Sequence, residues 1–139
     1  MTNIAIIPAR SGSKGFQNKN ISKINNYTLI EIATKNVLKS NVYDRIIFTS
    51  DSKKYLDIIN RSFTNNKKII LHLRKNNSSD TCEVDEMMID VVNECILNKD
   101  ISQNIKCLSL FYPTSPGRTI ENIVESFKLF KNDKPVIGV

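Results

Sequence analysis

Three cations and two glycines lie close together near the start of the sequence. The loop that follows the apolar run Ile4–Ile7 contains Arg10, Gly12, Lys14, Gly15 and Lys19. No Asp or Glu precedes Glu31. Glycines let backbone N–H groups approach a ligand closely, and Arg and Lys neutralise its charge. The pattern indicates a cradle for a polyanion, and a nucleoside triphosphate fits it better than a basic turn that only adds solubility.

The spacing within this loop excludes two common nucleotide motifs. Gly12 and Gly15 are too close for a P-loop, and the residues directly after Gly15 are not Lys-Ser or Lys-Thr. The Gly-x-Gly-x-x-Gly fingerprint is also absent, which disfavours a nicotinamide cofactor. His72 is the only histidine and lies in a predicted strand, so we interpret it as structural.

Composition and charge narrow the class of protein further. The 139 residues are 40 % hydrophobic and 24 % charged, which predicts one soluble domain over residues 1–139. The net charge of +6 suits any anionic ligand, but aromatic residues do not alternate with the cations, so nucleic-acid binding is disfavoured. No apolar run reaches membrane length. The three cysteines form no Cys-x-x-Cys pair, which argues against a zinc site and fits a cytoplasmic location.

Strand and helix patterns alternate along the chain. Apolar runs predict strands over residues 4–8, 45–49, 68–73, 106–112 and 135–139. Thr28-x-x-Glu31 is a capping box, and further helices are predicted after residues 50–52, 79–81 and 119. This order predicts a three-layer α/β/α, Rossmann-like fold with a mostly parallel sheet. If the first strand is central, with the second and third strands on one side and the fourth on the other, the loops after the first and fourth strands face each other.

Three segments of the predicted loops have two interpretations each. Asp51 closes the second strand and could meet a nucleotide or metal, or could cap the following helix. Residues 79–81 could likewise contact a ligand or cap a helix. Arg74 could bind base or phosphate, or be a solvated cation at a strand end. Arg118 stands at a predicted helix start, where a cation is unfavourable, which hints at function.

The loop and four later segments resemble one family. Ile-Ile-Pro-Ala-Arg-Ser-Gly-Ser-Lys-Gly (residues 6–15), followed by Lys19-Asn20, resembles the opening signature of the acylneuraminate cytidylyltransferases, the CMP-sialic acid synthetases. Further matches follow in order at Thr49-Ser50-Asp51, Leu73-Arg74, Ser79-Asp80-Thr81 and Pro113-Thr114-Ser115-Pro116 with Arg118-Thr119. The fold implied is of the nucleotide-diphospho-sugar transferase type.

The resemblance implies that CMP is transferred from CTP to a nine-carbon keto sugar acid, with release of pyrophosphate. Arg10 and Lys19 would be catalytic, stabilising charge on the triphosphate. The implied nucleotide contacts are Ala9, Arg10, Ser11, Gly12, Ser13, Lys14, Gly15, Lys19, Asn20, Arg74, Ser79, Asp80 and Thr81. The implied contacts to the sugar acid are Tyr112, Pro113, Thr114, Ser115 and Arg118.

Two departures from the family pattern bear on these expectations. Tyr112 replaces a residue that is typically Gln in the family, which leaves the acceptor open among sialic, legionaminic, pseudaminic and Kdo acids. Family members are also longer, and the resemblance places the acidic Mg²⁺ ligands and a homodimerisation segment beyond residue 139. We therefore expect the 139-residue chain to be the nucleotide-binding part of such an enzyme, truncated at its C-terminus. Alone, it would bind CTP weakly and turn over little, and an inactive nucleotide-binding fragment is the alternative.

Overall fold

The computed structural model describes residues 2–13, 16–17, 19–74, 84–113 and 119–130. Its strands are β1 (Thr2–Ala9), β2 (Gly12–Ser13), β3 (Phe16–Gln17), β4 (Lys23–Ile24), β5 (Tyr27–Thr28), β6 (Arg45–Ser50), β7 (Ile69–Leu73) and β8 (Ile105–Leu110). Its helices are α1 (Leu29–Ser40), α2 (Lys53–Ser62), α3 (Val84–Leu97) and α4 (Ile120–Phe130), with a 3₁₀ turn over Lys19–Ile21. The predicted strand over 135–139 and the predicted cap at 79–81 lie outside the described residues.

Four strands form one parallel sheet in the order β7-β6-β1-β8. The first strand is therefore flanked by the second and third long strands on one side and by the fourth on the other. This is the order under which the first and fourth loops face each other. The predicted α/β fold with a parallel sheet is confirmed.

Strand β1 is buried on both faces, which explains why it reads as a continuous apolar run. Ile4 and Ile6 pack with residues of α3, including Val91. On the opposite face Ala5 and Ile7 pack in a cluster to which α1, α2 and α4 contribute. Helices thus cover both faces of the sheet and give the predicted three layers.

Local signals explain where the first two long helices begin. Thr28 caps α1 through its hydroxyl, and the Glu31 side chain returns a bond to the Thr28 backbone, so the predicted capping box is confirmed. Ser52 caps α2 by accepting from the Tyr55 N–H. The sequence analysis did not predict the small β4–β5 hairpin, whose turn residues Asn25 and Asn26 both have positive φ. Asparagine tolerates a positive φ better than most residues, so the Asn25-Asn26 pair was the sequence signal for this turn.

Among the described residues, no helix combines the length and the hydrophobicity that crossing a membrane requires.

Candidate nucleotide-binding site

The carboxyl ends of the four parallel strands bring Ala9, Arg10, Arg74 and Tyr112 to one edge of the sheet. Ala9, the last residue of β1, pairs with Ser50, the last residue of β6. The Arg74 N–H donates to the Ser50 carbonyl at 2.8 Å, and the Phe111 N–H donates to the Ile6 carbonyl at 2.9 Å. The loops that follow β1, β6, β7 and β8 therefore start side by side, where parallel α/β sheets bind their ligands.

The loop after β1 folds back on itself. Gly12 pairs antiparallel with Gln17, and Ser13 pairs with Phe16, so the centre of the predicted cradle is a small hairpin. The 3₁₀ turn that begins at Lys19 follows this hairpin and carries Asn20.

Side chains from two distant segments hold the peptide group between Arg10 and Ser11. The Asn20 side-chain amide Nδ2 donates to the Arg10 carbonyl at 2.9 Å. The Ser11 N–H donates to Asp51 Oδ1 at 3.0 Å, and the Ser11 hydroxyl donates to Asp51 Oδ2, also at 3.0 Å. Both polar atoms of this one peptide group are therefore hydrogen-bonded to side chains.

Asp51 does not cap the helix that follows it, which corrects one of its two predicted interpretations. Ser52 is the cap of α2, and the Ser50 hydroxyl accepts from the Ser52 N–H at 3.0 Å. Both Asp51 carboxylate oxygens contact Ser11 instead. The carboxylate also lies near buried Tyr55, where burial raises the pKa of the phenol and the charge of Asp51 raises it further. The sequence signal was an acid placed directly after a strand, but nothing local identified Ser11 as its partner.

Asn20 keeps one acceptor available. Its side chain is 8 % exposed, and within the described part of the chain no hydrogen-bond partner meets its Oδ1 atom. A buried amide oxygen without a partner is costly, and a bound ligand that donates a hydrogen bond would relieve that cost.

The other predicted contacts divide between this edge and the undescribed residues. Ala9 is buried and Arg10 and Arg74 are half-buried, whereas Tyr112 is 43 % exposed beside a buried Pro113. The predicted contacts Lys14, Gly15, Ser79, Asp80, Thr81, Thr114, Ser115 and Arg118 lie outside the described residues.

His72 lies within the sheet and contacts residues on both sides of its ring. Its Nδ1 atom is 2.8 Å from the Thr49 hydroxyl, and its Nε2 atom contacts the Glu94 carboxylate. Thr49 has no exposed surface and His72 is 8 % exposed. These contacts join β6, β7 and α3, and they agree with the structural interpretation of His72.

The resemblance implies a Mg²⁺ ion. The described residues contain no group of three or more His, Cys, Asp or Glu side chains placed to hold a metal ion. Asp51 follows β6, the neighbour of β1, and both of its carboxylate oxygens accept hydrogen bonds from Ser11.

The fold is a three-layer α/β fold in which the cationic loop follows the carboxyl end of β1. The sequence profile of the cytidylyltransferase family matches residues 4–134. The chain belongs to the cytidylyltransferase family.

Two cytidylyltransferases are similar to this chain in sequence. The chain is 30 % identical over 131 residues to the N-acylneuraminate cytidylyltransferase of Escherichia coli O18:K1:H7, covering 92 % of this chain and 28 % of that protein. It is 36 % identical over 58 residues to a pseudaminic acid cytidylyltransferase of Campylobacter jejuni, covering 42 % of this chain and 25 % of the relative. The chain thus spans between a quarter and a third of the length of these two relatives.

A solved structure supports the fold. The CMP:2-keto-3-deoxy-manno-octonic acid synthetase complexed with CTP superposes with a TM-score of 0.68 at 16 % identity, covering 96 % of this chain and 48 % of that chain. At this identity the likeness establishes the fold alone.

Proposed function

We propose that this protein is a cytidylyltransferase that transfers CMP from CTP to a sialic-acid-type sugar acid and releases pyrophosphate. The hydroxyl of the sugar acid attacks the α-phosphate of CTP, the bond from the α-phosphate to the bridging oxygen breaks, and pyrophosphate leaves. Such a reaction depends mainly on positioning and charge neutralisation. The observation that carries the proposal is the loop after β1, which is rich in cations, lacks acids and lies at the ligand edge of the sheet.

The described residues have separate roles in this proposal. Arg10 leaves the end of β1 and contacts the triphosphate, with Lys19 on the same loop stabilising the charge that develops on pyrophosphate. Asn20 offers its unpartnered Oδ1 to a donor group of the cytidine, either a ribose hydroxyl or the cytosine amino group. Arg74, whose N–H donates to the Ser50 carbonyl at the end of β6, contacts the cytidine in this proposal.

The acceptor would enter on the side of β8. The bond from the Phe111 N–H to the Ile6 carbonyl holds the start of the fourth loop beside β1, and Tyr112 is exposed there. A sialic-type acid is favoured because the sialic-acid-activating relative matches 92 % of the chain, whereas the pseudaminic acid enzyme matches 42 %. Pseudaminic acid and Kdo are the alternatives within the same reaction.

Calorimetric titration of the chain with CTP, ATP and inorganic triphosphate tests the binding step. We expect saturable binding of CTP that is tighter than binding of ATP, because Asn20 and Arg74 contact the cytidine in this proposal. Absence of CTP binding would contradict the proposal, and equal affinities for CTP and inorganic triphosphate would contradict the cytidine contacts. Release of pyrophosphate with a panel of N-acetylneuraminic acid, pseudaminic acid and Kdo then tests the transfer and identifies the acceptor.

A further inference from the structure

The peptide group between Arg10 and Ser11 is hydrogen-bonded to side chains at both of its polar atoms. A peptide group is planar, so fixing its C=O and its N–H fixes the orientation of the whole plane. Asn20 holds the C=O from 10 residues away, and Asp51 holds the N–H from 40 residues away. The dihedral angles on either side of the plane, ψ of Arg10 and φ of Ser11, are constrained as a result.

This plane lies between the central strand and the hairpin. Arg10 directly follows β1, and Gly12 begins the β2–β3 hairpin. The orientation of the plane therefore determines the direction in which the Arg10 side chain leaves the strand and the direction in which the hairpin starts. A small rotation here would move both the cation and the hairpin.

The charge of Asp51 makes its position informative. A carboxylate beside a polyanion site repels the ligand. The first 30 residues, which include the cationic loop, contain no Asp or Glu, so Asp51 is an acid brought to the loop from another segment. Both oxygens of Asp51 accept hydrogen bonds from Ser11, and helix capping is done by Ser52. Hydrogen bonds to a carboxylate are stronger than neutral ones, which suits a contact that must keep one backbone conformation.

We propose that Asp51 is a positioning residue that orients the Arg10–Ser11 peptide so that Arg10 and the following hairpin meet the phosphates of the nucleotide. The inference rests on the proposed function. It assigns no contact between Asp51 and the nucleotide, since the carboxylate acts through Ser11.

The chain supplies a matched control at the other end of the same strand. Asp44 directly precedes β6, and its Oδ2 accepts from the Asn3 N–H at 2.8 Å. The two carboxylates make the same kind of bond to β1 or to its extension, but Asp44 lies at the end of the sheet away from the loop. Asp44→Ala should therefore cost stability without changing nucleotide affinity.

Affinity for CTP should separate a positioning role from a merely structural one. For Asp51→Ala we expect affinity for CTP to fall roughly tenfold, the scale for losing hydrogen bonds to a charged group. Asp51→Asn can still accept from the Ser11 N–H and donate to the Ser11 hydroxyl, so it should stay within about threefold of the unsubstituted chain. If Asp51 only repelled the ligand, removing its charge would tighten binding in both variants, and that result would overturn the proposal.

Amide hydrogen exchange gives a second measurement that does not require a ligand. Exchange of the Ser11 amide should accelerate in Asp51→Ala, while exchange of the Asn3 amide stays unchanged. Asp44→Ala should show the reverse. Unchanged Ser11 exchange in Asp51→Ala would show that the carboxylate does not hold the peptide and would overturn the proposal.

The two measurements also separate the inference from the proposed function. Failure of the unsubstituted chain to bind CTP would contradict the proposed function, and Ser11 exchange would still decide whether Asp51 fixes the peptide. CTP binding that is unaffected by Asp51→Ala would contradict the positioning role alone. Should Asp51→Ala not fold, Ser11→Ala is the substitute variant, because it keeps the backbone bond to Asp51 and loses the hydroxyl bond. It should weaken CTP binding measurably but by less than tenfold. Unchanged CTP binding in Ser11→Ala would count against the proposal.

Discussion

The two ends of strand β6 carry the same interaction in different surroundings. Asp44 precedes the strand and accepts from the Asn3 N–H, and Asp51 follows the strand and accepts from the Ser11 N–H. Asp44 thus contacts the start of β1, and Asp51 contacts the loop that follows β1. Both contacts join segments about forty residues apart in sequence.

What surrounds the two contacts differs. At the Asp44 end, the Asp44 N–H also donates to the Asn3 carbonyl, and a depression in the surface is lined by acids and bases together, including Arg45, Lys99 and Asp100. At the Asp51 end, the neighbouring loop carries cations and no acid. In our proposal, the reciprocal backbone contact among balanced charges serves stability, whereas the single acid beside the cationic loop orients groups that bind an anion. The same bond therefore has two uses, and its surroundings distinguish them.

The largest effect expected is on the strand that joins the two ends. Phe48 lies in the middle of β6 and has no exposed surface. Phe48→Ala should lower the free energy of unfolding by about 3–5 kcal/mol, because it removes buried area and leaves a cavity. Urea denaturation measures the loss, and amide exchange should accelerate at Asn3 and Ser11 together. Lys54→Ala, on the exposed side of α2, should stay within about 0.5 kcal/mol. Faster exchange at only one end would show that the two ends unfold separately.

Arginines at the two ends offer a direct test of which end binds the nucleotide. Arg10→Ala should weaken CTP binding at least roughly tenfold, because a charge contact with the phosphates is lost. The same loss should appear in kcat/KM for the transfer reaction. Arg45, which is exposed and donates to the Asp44 carbonyl, is the matched control, and Arg45→Ala should leave CTP affinity within about twofold. Similar losses in both variants would mean that net charge, and not the loop, attracts CTP.

The helix between the two ends should show a smaller effect. Helix α1 lies in sequence between the cationic loop and the turn that contains Asp44, and Thr28 caps it. Thr28→Ala should lower the free energy of unfolding by roughly 1 kcal/mol, because the Glu31 N–H loses its acceptor. Urea denaturation measures this value. Thr64→Ala, an exposed residue beyond the end of α2, should change stability by less, and an equal loss there would argue against a specific role for the cap.

The smallest effect concerns the acid dependence of the same cap. Burial raises the pKa of Glu31, but hydrogen bonds from Ser62 and Thr28 and the charge of Lys23 outweigh it, so the pKa lies below its ordinary value. A carboxyl whose pKa is lowered on folding stabilises the protein above its unfolded-state pKa, and this stability is lost as the pH falls through its folded-state pKa. Since Glu31 is partly exposed, the contribution should stay below about 1 kcal/mol.

Denaturation of Glu31→Gln and of the unsubstituted chain, at neutral pH and at pH values below the ordinary pKa of glutamate, measures this contribution. The difference in free energy of unfolding should be largest at neutral pH and should shrink in acid. A difference that grows in acid would contradict the lowered pKa.

Much of the fold followed from local patterns. The apolar run of β1 indicated a strand buried on both faces, and Thr28-x-x-Glu31 fixed the start of α1, because both signals depend on residues close in sequence. The cationic loop was likewise evident from residue types alone. What local patterns did not contain was the pairing register, and the β4–β5 hairpin was missed because its strands have only two residues each.

The amino-acid sequence by itself determined the alternation of strands and helices, the family, and a loop whose composition suits a polyanion. Only the tertiary structure decided which groups hold that loop, since Asp51 meets Ser11, and Asn20 meets Arg10, through the placement of neighbouring strands and turns. It also converted Asp51 from a candidate helix cap into a partner of the loop. The physical reason is that periodicity and capping act over a few residues, whereas these hydrogen bonds depend on how β1 and β6 align in the sheet.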